Sequence, residues 1–164
     1  MENKAISNTG PIIHLSEIDL TNSLNIFNQI LIPPEVSEEI KRNKFQIPEK
    51  IKLKLLEAKW KDFTKILTDE FSLDLGESEG IALALQEKAA YFLTDDLDAR
   101  DVANKYNIEV HGTIGIILRA FREKIIDRQL AIEKINQLYF NSSLHITRIL
   151  IEDMIKEIEK FGKK

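Results

Sequence analysis

Four short apolar runs, each closed by turn-forming or polar residues and followed by a helical stretch, constrain this chain most. Lys4 to Ser7 is the first, punctuated by Asn8-Thr9-Gly10-Pro11. Pro11 suits the first turn of a helix, and Ile12, Ile13, Leu15 and Ile18 form its apolar face. Ile30-Leu31-Ile32 is the second, ended by Pro33-Pro34 and followed by a helix opening at Glu35-Val36-Ser37-Glu38-Glu39-Ile40. Ala90-Tyr91-Phe92-Leu93 is the third, with Thr94-Asp95-Asp96 at its end and a helix from Asp98 to Lys105. Ile108-Glu109-Val110 is the fourth, and Gly112-Thr113-Ile114-Gly115 turns it into a helix through Arg122. Short strands alternating with helices imply an α/β fold: a parallel sheet with crossover helices.

The other segments add helices. A helical piece spans about Leu20 to Phe27, and Gly76-Glu77-Ser78-Glu79 opens a strong helix through Ile81-Ala82-Leu83-Ala84-Leu85, ending near Lys88. Between them, Pro48 is expected to start a helix through Leu56, and Phe63 to Leu67 reads as an edge strand or a loop. From Asp127 the pattern is helical throughout. Ala131, Ile135 and Leu138 share one face, and Ile151, Met154, Ile155 and Ile158 share another, with Asn141-Ser142-Ser143 between the two helices. At 164 residues the expected organisation is one domain, 1–164, with a core of about 1–125 and a helical extension of about 126–164.

Composition narrows the chemistry. Without cysteine the chain has no disulfide, no thiolate zinc site and no Cys nucleophile. There is no basic segment leading into a long apolar stretch, and no apolar run of membrane-spanning length. The expected location is the cytoplasm, with no membrane association. Lys plus Arg number 23 and Asp plus Glu 27, a net charge of −4. That is not the bulk basic balance of a passive nucleic-acid binder. It does not exclude an enzyme that acts on nucleic acid, since a cluster of metal-binding carboxylates lowers the net charge by itself and bound cations reverse the local sign.

In open parallel sheets, ligands gather outside the carboxyl ends of the strands. Asn8 and Thr9, Glu38 and Glu39, and Asp95, Asp96 and Asp98 all fall there, while Glu77 and Glu79 open the helix leading into the third run. Carboxylates brought together raise each other's pKa, and a divalent cation removes that repulsion. Mg²⁺ and Mn²⁺ prefer oxygen ligands and keep several waters, so a few carboxylates suffice.

Ser7-Asn8-Thr9, Ile32-Pro33-Pro34-Glu35-Val36-Ser37-Glu38-Glu39-Ile40, Gly76-Glu77-Ser78-Glu79-Gly80-Ile81-Ala82-Leu83-Ala84, and Leu93-Thr94-Asp95-Asp96 with Arg100 together resemble the PIN-domain family, in particular its VapC-like toxin group. The resemblance runs in order through about residues 4 to 125, and the helical tail resembles one subgroup's extension. It implies a Rossmann-like sheet, Mg²⁺ or Mn²⁺ at a carboxylate cluster, and cleavage of RNA. By motif position it implies Asn8, Glu39, Glu77 and Asp96 as the catalytic, metal-holding set. Asp98 would be a further oxygen ligand or water-positioning group, and Thr9, Thr94 and Arg100 would be supporting groups. Most of the family carries Asp where this chain has Asn8. An amide keeps a carbonyl oxygen for a metal but brings no charge, so weaker metal affinity and slower chemistry are expected.

The same residues have plainer uses. Asn8 suits a helix cap, Glu38-Glu39 a solvated helix face, Glu77 and Glu79 a helix N-terminus, and Asp95-Asp96 a turn and cap. Glu77 and Glu79 are two apart and point in different directions, so at most one faces the carboxylate cluster. His14, His111 and His145 have no ligand spacing, and Gly112-Thr113-Ile114-Gly115 lacks the lysine of a nucleotide loop. The overall expectation is a metal-dependent endoribonuclease, the toxin of a toxin–antitoxin pair. RNA is its substrate, an antitoxin protein its partner, and the terminal helices suit a homodimer surface. The rival is a PIN-like module with weakened chemistry that binds RNA or protein. A phosphoryl-accepting receiver domain fits poorly, for want of an early acidic pair and a late lysine.

Overall fold

Five strands pair in parallel throughout, as short apolar runs joined by helical crossovers require. The computed structural model describes residues 3–163. The strands are β1 (Lys4–Ser7), β2 (Gln29–Ile32), β3 (Ile51–Leu53), β4 (Tyr91–Leu93) and β5 (Glu109–His111), in the spatial order β3-β2-β1-β4-β5. The register pairs Ile6 with Leu31 on one side of β1 and with Phe92 on the other. The helices are α1 (Thr9–Glu17), α2 (Pro34–Arg42), α3 (Ala58–Phe71), α4 (Leu75–Gln86), α5 (Leu97–Lys105), α6 (Thr113–Arg122), α7 (Arg128–Asn141) and α8 (Arg148–Lys160), with a 3-10 turn at Thr21–Ile26. The fold class is α/β, a PIN-like parallel sheet flanked by helices with C-terminal helices added.

The chain divides into two compact units. The first holds the sheet: residues up to Ile13 together with Phe27–Gly112. Its core joins Ile6, Leu31 and Phe92 to Leu67 of α3, Ile81 and Leu83 of α4, and Val102 of α5, all buried. The small residues Ala82 and Ala84 and the aliphatic Ile81 and Leu83 make α4 apolar almost all round, the pattern of a helix buried against several neighbours.

Residues 44–74 depart from expectation in two places. Where a helix was expected from Pro48 through Leu56, β3 pairs Ile51 with Ile30 at the sheet edge. Ile51 is buried while Lys52 and Leu53 are exposed, and the main chain turns into the strand with the Ile51 amide donating to the Pro48 carbonyl at 2.9 Å. The apolar positions there fit a period of two as well as a helical one, and the open edge of β2 decides between them. Phe63 to Leu67 lies within α3, neither edge strand nor loop. Trp60, Phe63, Thr64 and Leu67 recur at helical spacing, and that face packs on the core. Thr64 and Thr68 return their hydroxyls to the carbonyls one turn back, at 2.9 and 2.6 Å.

The second unit takes His14–Ile26 and the chain from Thr113 onward. Ala131, Ile135, Leu138, Ile151 and Ile158 are buried. Asp127 caps α7 through the Leu130 amide (2.8 Å) and Thr147 caps α8 through the Leu150 amide (3.2 Å). Arg128 donates to the carbonyls of Glu159 and Phe161 at 2.7 Å each, satisfying backbone groups left free at the end of α8. No helix among the described residues is long and apolar enough to cross a membrane.

Candidate metal centre

β1 and β4 are neighbours, yet the chain visits β2 and β3 before returning to β4 on the other side. The crossovers reverse direction between β1 and β4, and a crevice at the carboxyl ends is expected there. Asn8 leaves β1 at this point, its amide donating to the Leu93 carbonyl at 2.8 Å. Asn8 is 8% exposed. Its Nδ2 donates to Thr94 Oγ1 at 3.2 Å and its Oδ1 accepts from the Thr9 amide at 2.9 Å. The same Thr94 hydroxyl accepts from the Asp96 amide at 3.2 Å. Thr94 thus ties the ends of β1 and β4 together through one buried oxygen.

Asp96 caps α5, with Oδ1 accepting from the Ala99 amide at 2.8 Å. Across from it, Glu77 occupies the third position of a capping box with Asp74. Asp74 Oδ1 accepts from the Glu77 amide at 2.8 Å, and Glu77 Oε2 accepts from the Asp74 amide at 3.0 Å. The Glu77 and Asp96 carboxyls lie within hydrogen-bonding reach. Burial, the charges of Asp74 and Asp96 and that hydrogen bond push the Glu77 carboxyl up from 4.5 to about 7, against the lowering effect of the Asp74 amide.

Glu39 projects from α2. Thr9 Oγ1 donates to its Oε2 at 2.5 Å, and its Oε1 sits 2.8 Å from where a Cβ on residue 76 would stand. A Cβ at position 76 would push this carboxylate aside. Burial raises the Glu39 carboxyl, the Thr9 hydroxyl opposes it, and the charge of Asp74 raises it further. Asp74 therefore acts on both Glu39 and Glu77. Sequence reasoning passed over it, although Asp74-Leu75-Gly76-Glu77 carries the acid-x-x-Glu spacing of a capping box.

The expected residues fall into linked pairs: Asn8 with Thr94, Thr9 with Glu39, and Glu77 with Asp96. Glu79 faces away from the last pair, accepting from the Glu35 amide at 2.9 Å. Asp98 is exposed in the first turn of α5. Arg100 stands apart: Gly112 leaves space for its Nη2 and for Asp95 Oδ1, 3.0 and 2.9 Å from where a Cβ would stand. Its Nε is buried with no hydrogen-bond partner. His111 stacks on Tyr91, ring centroids 5.0 Å apart.

The donors at this edge are oxygens only, from carboxylates, an amide and hydroxyls, the set that suits Mg²⁺ or Mn²⁺. The Glu39 and Glu77 carboxyls are both raised, first by burial and then by neighbouring carboxylates, so a cation would offset the cost of keeping them charged there. Among the described residues, no three His, Asp or Glu side chains converge into a ready-made ligand group. The donor chemistry fits a hard cation, and the geometry is one of separate pairs rather than a converged ligand set.

A family model described as a PIN domain (DUF3368) matches residues 4–160. Among solved structures, a PilT N-terminus domain protein from the hyperthermophilic archaeon Sulfolobus solfataricus P2 is similar, with a TM-score of 0.52 and 13% identity. The alignment covers 71% of this chain and 92% of that chain. It supports the fold alone. No curated protein matches. A family match running from the first strand to the last residue of α8 decides the matter: the chain belongs to the PIN-domain family, whose fold is of the nuclease type and whose members typically use divalent metals.

Proposed function

We propose that this PIN domain is a divalent-metal-dependent endoribonuclease of the VapC-like kind, the toxin of a toxin–antitoxin pair acting in the cytoplasm. The observation that carries the reading is the Glu77–Asp96 carboxyl pair beside the β1/β4 switch point, with Glu77 raised to about 7. A half-buried glutamate facing an exposed aspartate in this way suits proton handling near neutral pH or a shared cation.

Glu39, Glu77, Asp96 and the Asn8 carbonyl oxygen would hold Mg²⁺ or Mn²⁺, with Asp98 as a further oxygen at the exposed side. The bound ion supplies Lewis acidity, lowering the pKa of water and neutralising charge on the phosphoryl group. Thr9 orients the Glu39 carboxylate through its 2.5 Å hydrogen bond. Thr94 orients the Asn8 amide and the Asp96 backbone together. The capping box holds one oxygen of Glu77 toward Asp74, leaving the rest of the carboxyl to Asp96. RNA is the substrate on this reading, and a protein antitoxin and a second copy are its partners.

The decisive experiment is cleavage of single-stranded RNA with Mn²⁺ by the wild type and by Asp96→Asn. Loss of at least about 100-fold is expected on removing a ligand charge. Equal cleavage by both proteins points to a contaminating nuclease and ends the assignment.

Asn8 favours a second reading, a binding module with weakened chemistry. Its amide is engaged on both sides, by Thr94 and by the Thr9 backbone, and adds no charge. Calorimetry separates the two. Absence of Mn²⁺ binding at millimolar metal, restored by Asn8→Asp, supports the module.

A further inference from the structure

We infer that Glu79 is a positioning residue: its carboxylate fastens the first turn of α2 to α4 and thereby holds Glu39 against Gly76, beside Glu77. The inference rests on reading Glu39 and Glu77 as cation-holding groups.

The need for such a fastening begins in the sequence. α2 starts after Pro33 with Pro34 at its first position, and Pro33 offers no side-chain cap. Free N–H groups at a helix start need acceptors. The acceptor comes from another helix, with Glu79 Oε1 taking the Glu35 amide at 2.9 Å. Negative charge at that end is favoured by the helix dipole. Burial nonetheless raises the Glu79 carboxyl above its normal value, and the Glu35 amide opposes the rise. Glu35's own carboxylate is turned away, paired with Arg42 at 2.8 Å.

A second contact lies one turn along. Glu39 follows Glu35 by four residues and rests its carboxylate against Gly76, which precedes Glu79 by three. Positions so spaced share a helix face. The two helices therefore touch at successive turns, Glu35 on Glu79 and Glu39 on Gly76. One contact would act as a pivot, whereas two fix both rotation and slide. Glu77 is adjacent to Gly76 and faces Asp96, so the clamp sets how far Glu39 stands from the Glu77–Asp96 pair. Glu79 would act on the cation only through these neighbours, without ligating it.

The test combines hydrogen exchange of residues 33–40 without metal and Mn²⁺ calorimetry on the full chain. In Glu79→Ala we expect about tenfold faster exchange in the first turn of α2 and about tenfold weaker Mn²⁺ binding, the scale of lost outer-shell support. Glu79→Gln keeps the acceptor oxygen and should restore both to within about twofold. Glu79→Asp withdraws the oxygen by one methylene and should behave as the alanine variant does, which keeps the test usable if Glu79→Ala does not fold. Ile135→Ala, in the second unit, controls for general destabilisation. Unchanged exchange in both Glu79→Ala and Glu79→Asp overturns the inference. So does an Mn²⁺ loss matched by Ile135→Ala. If the wild type binds no Mn²⁺, the functional proposal fails, and the exchange data alone decide whether Glu79 fastens α2.

Discussion

The two units bury different things. Among the described residues, Ser7, Asn8, Ser37, Thr64, Ser78 and Thr94 are buried in the sheet unit, and only Ser23 and Thr113 join the buried hydrocarbon in the helical unit. Buried polar groups need partners. Asn8 and Thr94 find them in one another and in the backbone that leads to Asp96. Ser23 in the helical unit merely returns its hydroxyl to the Leu20 carbonyl one turn back at 2.7 Å. In the sheet unit two of the buried polar side chains, Asn8 and Thr94, set the position of a carboxylate, while Thr64 returns its hydroxyl to the Trp60 carbonyl as Ser23 does; the helical unit is stabilised by packed aliphatic side chains. A substitution in the first should disturb chemistry more than stability, and one in the second should do the reverse.

The largest expected effect that could break this contrast lies in the helical unit. Ile135 is fully buried, and Ile135→Ala should cost about 2–5 kcal/mol in denaturant unfolding. Mn²⁺ affinity of the protein that remains folded should stay within about twofold, since no carboxylate is moved. A large affinity loss in that variant would mean that the helical unit also shapes the cation site.

Next in size is Asn8→Asp. A fourth charge should tighten Mn²⁺ binding about tenfold, read by calorimetry. In EDTA the same variant should melt below the wild type, because the amide donor to Thr94 is lost and charge is added near Asp96. An Asn8→Asp protein that is more stable without metal would show that Asn8 serves chemistry rather than stability of the apo fold.

The smallest effect sharpens the sign. Glu77 ionises near 7 in the native state against 4.5 normally. The native state therefore binds a proton that the unfolded chain has released, and stability falls as pH rises from about 4.5 to about 7, staying lower above. Glu77→Gln cannot ionise and keeps an acceptor for the Asp74 amide. Without metal it should be more stable than wild type by about 1 kcal/mol near pH 8, after allowance for solvent screening, and no different near pH 4. Equal melting at both ends of that range would mean that the carboxyl is not crowded.

Much of this was legible before any coordinates. Strands β1, β2, β4 and β5 stood out because apolar runs closed by Pro33-Pro34, Thr94-Asp95-Asp96 or Gly112 have few other uses. Asn8, Glu39, Glu77 and Asp96 lay among the polar residues that strand ends and helix starts bring to one sheet edge, and the resemblance to the PIN-domain family singled out these four. β3 and α3 were misread, since a three-residue edge strand leaves too short a pattern and the aromatic residues of α3 mimic strand composition. Asp74 was missed because its importance lies in the charges it faces: Glu39, distant along the chain, and Glu77, less than one helical turn on, whose role shows only once the site is assembled.

By itself the sequence determined the element types outside residues 44–74, the parallel arrangement and the chemical kind of the site, because periodicity, punctuation and oxygen-bearing residues are local properties. Tertiary structure decided which carboxyls meet. Glu77 and Glu79 open the same helix, yet one pairs with Asp96 and the other takes the Glu35 amide. Residues two apart on a helix point to different neighbours, and which neighbours stand there depends on how α2, α4 and α5 pack on the sheet.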